Sequence, residues 1–227
     1  MSKRVIVALD VADQAAADHL TAQLPDVTFW KIGLELFVAT GSTFVQKLKA
    51  QDKRIFLDLK LHDIPNTVAG ACRNVSGLGV DFLTVHAVGG AAMIRAAVES
   101  VQGDTKILAV TLLTSLSQAA LNTELQVPLS VQDYVCKLAE VALKSGAGGL
   151  VCSPLEIALL RETFGPEILL VTPGIRPSQG QHQDQQRTLT PSQAIQAGAS
   201  YLVVGRPITQ APDPALAFSD IVQEISQ

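Results

Sequence analysis

A closed (β/α)8 barrel of the TIM type is the architecture expected of this α/β chain, and three observations lead to it. Eight short apolar runs recur along the 227 residues, each followed by a segment of helical character. The runs read as near-continuous Val, Ile and Leu, as strands covered on both faces do, rather than as the alternation of a half-exposed sheet. No Gly-x-Gly-x-x-Gly follows the first run, where an open dinucleotide-binding sheet carries it. Eight strand–helix units without a break in composition place residues 1–227 in one barrel domain.

The strands are expected at 4–9 (RVIVAL), 28–33 (TFWKIG), 54–60 (RIFLDLK), 81–87 (DFLTVHA) and 106–113 (KILAVTLL). The remaining three are expected at 148–153 (GGLVCS), 168–173 (ILLVTP) and 201–206 (YLVVGR). Between the fifth and sixth, Val131, Tyr134, Val135, Leu138, Val141 and Ala142 keep helical spacing, with Ser130 as N-cap and Gly146 as the stop. SPLE (153–156) and TPSQ (190–193) have capping-box spacing with proline at the first helical position. Asp213-Pro214 opens the last helix in the same way.

Composition narrows the function. The chain is 48% hydrophobic, but no apolar run approaches the roughly 18 to 20 residues of a membrane span. The apolar run near the N-terminus is too short for a signal peptide. A net charge of −4 without a basic block argues against nucleic acid as a partner. Cys72, Cys136 and Cys152 are odd in number and form no C-x-x-C pair, so they are expected as reduced thiols of a cytoplasmic protein.

The charged residues point to a site. Barrel strands alternate inward and outward side chains. In the third strand Ile55, Leu57 and Leu59 are expected to face the helices, leaving Phe56, Asp58 and Lys60 on the inner face. Asp58 and Lys60 fall at the C-terminal end of the strand, where barrel enzymes carry their active sites. Asp10 ends the first strand, Lys31 lies near the end of the second, and Asp63 follows the third. Five charges are thus expected on one rim. Lys60 has carboxylates on both sides, which favour a permanent ammonium. That disfavours a Schiff-base nucleophile, which must lose its proton, and favours stabilisation of a carbanion.

The seventh and eighth strands finish in VTPGIRP (171–177) and VVGRPI (203–208). Loops after these strands often bind phosphate in barrels. Gly205 permits close backbone approach, Arg206 offers a fork of donors, and Arg176 is a second clamp. The Gln-rich stretch 176–187 is expected to be a lid, because so long a loop in a compact domain is usually functional.

With these residues placed, the chain resembles the orotidine 5′-phosphate decarboxylase family along its full length. The resemblance is carried by ALD (8–10), KIG (31–33), DLKLHDIPNT (58–67), LTS (113–115), VCS (151–153), PGIRP (173–177), DQQR (184–187) and VVGRP (203–207). It implies loss of CO2 from orotidine 5′-monophosphate to give uridine 5′-monophosphate, without metal or organic cofactor. It further implies that Lys60 protonates C6 and Asp58 lies beside the departing carboxylate, with Lys31 and Asp63 completing an alternating charge network. Asp10 and Lys31 would contact the ribose, Ser153 the pyrimidine edge, and Thr114 the base-binding region. Arg176, Gln185, Gly205 and Arg206 would hold the phosphate, Gln185 being assigned by its place after Asp184. Asp63 and Thr67 would reach across a homodimer interface into the partner's site.

Two other readings compete. A metal-dependent sugar-phosphate decarboxylase or aldolase would use Asp10, Asp58 and Asp63 to hold Mg²⁺, which favours oxygen ligands. Lys31 stands where such relatives carry an acid, and a cation there repels the metal. A non-catalytic phosphate sensor would gain nothing from inward carboxylates facing an anion. The histidines have no metal-ligand spacing: His62 and His86 are expected near the rim as supporting groups, His19 and His182 toward solvent.

Overall fold

The computed structural model describes residues 2–177 and 188–226. Eight parallel strands pair in chain order and β8 closes onto β1, forming the expected barrel. They are β1 (Val5–Leu9), β2 (Phe29–Gly33), β3 (Arg54–Leu61), β4 (Phe82–His86), β5 (Lys106–Val110), β6 (Gly149–Val151), β7 (Leu170–Thr172) and β8 (Tyr201–Val204). The surrounding helices begin with α1 (Gln14–Gln23), α2 (Leu34–Lys49), α3 (Pro65–Ser76), α4 (Gly90–Ser100) and α5 (Gln118–Thr123). They continue with α6 (Val131–Lys144), α7 (Ile157–Phe164), α8 (Pro191–Gln196), α9 (Arg206–Thr209) and α10 (Pro214–Glu224).

All eight expected strands form, but several end early. The fifth stops at Val110 and the eighth at Val204. Their last residues leave the ladder for the loops that build the rim. The caps form as their side chains dictate: Ser130 accepts the Asp133 N–H at 3.0 Å and Asp213 that of Leu216 at 3.0 Å. Thr190 and Gln193 complete a reciprocal capping box. At Ser153 the capped turn is a short 3-10 segment, Pro154–Glu156, that runs into α7.

Strand alternation separates two apolar layers. Ile6, Ala8, Phe29, Phe56, Phe82, Leu108, Val110, Val151, Val171 and Val203 fill the barrel interior. Trp30, Ile32, Ile55, Leu57, Leu83 and Val85 belong to the larger layer packed against the helices. At the N-terminal end, the Arg54 guanidinium lies 4.0 Å from the Phe29 ring centroid and bonds Asp81 at 2.8 Å. Phe29, Phe82 and Tyr201 pack edge to face or tilted beside it. This stack plugs one end of the barrel, so inward side chains meet a cavity only at the other.

The three cysteines are free, with Cys72 and Cys152 buried. No helix among the described residues is long and apolar enough to cross a membrane.

Candidate active site

A cavity of 360 Å³ opens at the C-terminal end of the strands, lined by Asp10, Lys31, Asp58, Lys60, Thr114, Arg176, Gly205 and Arg206 among others. Its size falls within the range of about 300 to 1,000 Å³ common for small-molecule sites. Apolar contacts at the base come from Ala8, Phe56, Val151 and Val203, the top of the interior layer.

The charges form a chain. Lys31 Nζ bonds Asp10 Oδ1 at 2.7 Å and faces Asp58 Oδ2 at 3.8 Å. Lys60 Nζ bonds the same Asp58 oxygen at 2.7 Å. Asp58 and Lys31 are each only 8% exposed, so both charges depend on one another for compensation. Charge therefore alternates, negative–positive–negative–positive, along one wall from Asp10 to Lys60.

Lys60 owes its direction to a local irregularity. Leu57 pairs with Leu83 and Leu61 with Val85, so Asp58, Leu59 and Lys60 share the single opposing residue Thr84. Such a bulge re-aims side chains beside active sites. Lys60 adopts φ +50°, a left-handed conformation unfavourable for a residue with a Cβ by about 1–2 kcal/mol. Its N–H donates to Thr84 Oγ1 at 2.8 Å, and the Thr84 hydroxyl donates to Asp58 Oδ1 at 2.9 Å.

Other expected residues stand elsewhere. Asp63 is exposed beyond β3, where its carboxylate accepts the neighbouring Ile64 N–H at 2.6 Å; it does not join the four-charge chain within one protomer. Thr67 is exposed in the first turn of α3 and does not line the cavity. Ser153 is fully buried, its hydroxyl taking the Leu155 N–H at 3.4 Å, and it too is outside the lining. Gln185 and most of the expected lid, 178–187, lie outside the described residues, as does His182. His62 is exposed and His86 half-buried, with ring centroids 5.7 Å apart. Burial lowers the His86 pKa, with His62 and Lys60 adding to the effect.

Three contributors escaped the sequence reading. Thr84 is a polar residue at an inward position of an apolar strand, the same signal that exposed Asp58. Gly33 leaves room for the ion pair: a Cβ there would lie 3.0 Å from Lys31 Nζ and 3.2 Å from Asp10 Oδ1. Gln210, one helical turn after Arg206, also lines the cavity.

Residues 3–221 match the model of the Orotidine 5′-phosphate decarboxylase / HUMPS family. The chain belongs to that family. It is 50% identical to the orotidine 5′-phosphate decarboxylase of Nostoc sp. (strain PCC 7120), covering 98% of this chain and 97% of the relative. The corresponding Synechocystis sp. (strain PCC 6803) enzyme is 51% identical, with 98% of each chain covered. Among solved structures, orotidine 5′-phosphate decarboxylase from Lactobacillus acidophilus superposes with a TM-score of 0.88 at 42% identity, covering 98% of this chain and 99% of that one.

Proposed function

We propose that this chain removes CO2 from orotidine 5′-monophosphate to form uridine 5′-monophosphate in pyrimidine synthesis, through a C6 carbanion that Lys60 stabilises and protonates. The observation that carries the reading is the chain of alternating charges, with Lys60 Nζ and Lys31 Nζ at 2.7 and 3.8 Å from one oxygen of Asp58. The C–C bond to the carboxyl group breaks, its electron pair stays on C6, and the Lys60 ammonium supplies the proton that replaces CO2. In this reading Asp58 lies beside the departing carboxylate of the substrate. Like charges about 4 Å apart repel by about 4 kcal/mol at an effective dielectric of 20, and that repulsion disappears as CO2 departs neutral.

Binding energy from the far end of the nucleotide holds the substrate against this repulsion. Arg176, Gly205 and Arg206 take the phosphate together with Gln185; Asp10 and Lys31 take the ribose; Thr114 takes the base, and Ser153, buried outside the lining, reaches the pyrimidine edge only on rearrangement of its capped turn. Asp63 and Thr67 complete the site of a second protomer. Their exposure supports this, as do the exposed apolar residues Leu34, Ile64, Val88 and Leu113, which follow neighbouring strands at the same end. No cofactor is required by the reading, and the unpaired cysteines support a cytoplasmic setting.

One donor supplies roughly 3 to 4 kcal/mol of the 8 to 23 kcal/mol by which enzymes lower barriers. Several groups must therefore act together. Mixing the protein with orotidylate and following the loss of ultraviolet absorbance tests the activity, and Lys60→Ala is expected to slow it by at least about 1,000-fold. A variant as fast as the parent would remove Lys60 from the chemistry. A substrate without its phosphate should lose at least about 1,000-fold in kcat/KM, whereas an undiminished value would overturn the remote-grip account. The Mg²⁺-dependent reading meets an obstacle in Lys31, whose ammonium already bridges Asp10 and Asp58. Activity abolished by EDTA and restored by Mg²⁺ would favour it instead.

A further inference from the structure

We propose that Thr84 is a positioning residue, whose single hydroxyl holds both the carboxylate of Asp58 and the backbone of Lys60 in reactive geometry. The inference rests on the assignment of Asp58 and Lys60 given above. Thr84 is 0% exposed and is the lone residue of β4 opposite the three-residue bulge of β3. Its hydroxyl has one proton, and both partners are determined. The oxygen accepts from Lys60 N at 2.8 Å, so the proton goes to Asp58 Oδ1 at 2.9 Å.

Two consequences follow from that arrangement. Asp58 Oδ2 is occupied by Lys60 Nζ at 2.7 Å, so with Thr84 on Oδ1 the carboxylate is gripped at both oxygens and its plane cannot turn. The plane sets the direction in which Asp58 presents charge to the substrate. In addition, Lys60 sits at φ +50°, and the hydroxyl receives the N–H of that strained residue. One side chain thus anchors the two ends of the Asp58–Lys60 pair. Preorganised groups of this kind are effective because they need not reorient as the reaction proceeds.

Valine is nearly isosteric with threonine and lacks both hydrogen-bonding functions. Thr84→Val is expected to lower kcat by about 10- to 100-fold, the usual consequence of losing a hydrogen bond to a charged group. The Kd for uridine 5′-monophosphate should stay within about 3-fold, because Thr84 does not line the cavity. Thr84→Ser, which keeps the hydroxyl and drops the methyl, should restore most of kcat. A Val variant with parental kcat would overturn the proposal, as would a Ser variant as slow as Val. If Val does not fold, Thr84→Ala against Thr84→Ser makes the same comparison. Lys60→Ala is assayed alongside. Loss of activity there with none in Thr84→Val sinks only the Thr84 inference, whereas retained activity in Lys60→Ala sinks the site assignment beneath it.

Discussion

Gly33 sits where a single methyl group would press on the Lys31–Asp10 ion pair, at 3.0 Å from Nζ and 3.2 Å from Oδ1. Either the lysine moves or the strand does. Gly33→Ala is therefore expected to lower kcat/KM by about 10-fold or more while the fold persists, which steady-state kinetics with a melting curve will check. Buried thiols give a second expectation. Burial pushes Cys152 up to about 12, with Glu156 adding to it, and Cys72 up to about 11. Folded protein at pH 8 should thus label at most at the half-buried Cys136, and all three thiols should react once denatured. A third concerns His86, whose folded pKa is depressed, first by burial and then by His62 and Lys60, with Asp58 opposing. An unfolded histidine titrates near about 6.5 and there binds more protons than the folded one, so this contribution to stability is full above that pH and is lost as pH falls through the folded value. Melting temperature should then fall less between pH 7 and pH 5 in His86→Asn than in the parent.

At the scale of elements, the joints between units carry as much specificity as the strands. Arg161 on α7 ties down the segments that lead into β7 and β8: its guanidinium donates to the carbonyls of Gly198 (2.9 and 2.6 Å), Ile168 (2.6 Å) and Pro166 (2.7 Å). Arg161→Leu leaves those carbonyls without their donor and should cost about 2 kcal/mol, or a drop of about 4 to 8 °C in Tm, with little change in KM. The bulge of β3 is the counterpart at the active end. Alternation alone placed Asp58 and Lys60 on the inner face, and the cavity lining agrees. The three-against-one pairing and the positive φ of Lys60 were not legible, because lysine has no preference for a left-handed conformation and the bulge exists only in the pairing of β3 with β4. Capping boxes at Thr190 and Ser153 were legible, since the partners lie three residues apart and need only local chain to meet.

For the whole molecule, the decisive question is whether one protomer is a complete catalyst. Asp63 and Thr67 stand exposed outside the cavity of their own chain. If they serve a partner, Lys60→Ala and Asp63→Ala proteins, each nearly inactive alone, should regain up to about a quarter of parental activity when unfolded together and reassembled. Half of a random mixture of dimers is mixed, and one of the two sites in each is intact. No recovery despite proven mixed dimers would confine Asp63 to its own protomer.

The barrel could be read directly from the chain because eight apolar runs at regular spacing admit few arrangements, and strand alternation then assigns each charge to a face. Asp10, Lys31, Asp58 and Lys60 were found in this way, each from its own place in its own strand. The order in which they touch depended on contacts between strands that are remote in sequence. Thr84 acquired its role only from the bulge opposite it, and Gly33 only from an ion pair formed above it. Such roles arise where strands meet, and a single strand carries no record of its neighbour's register.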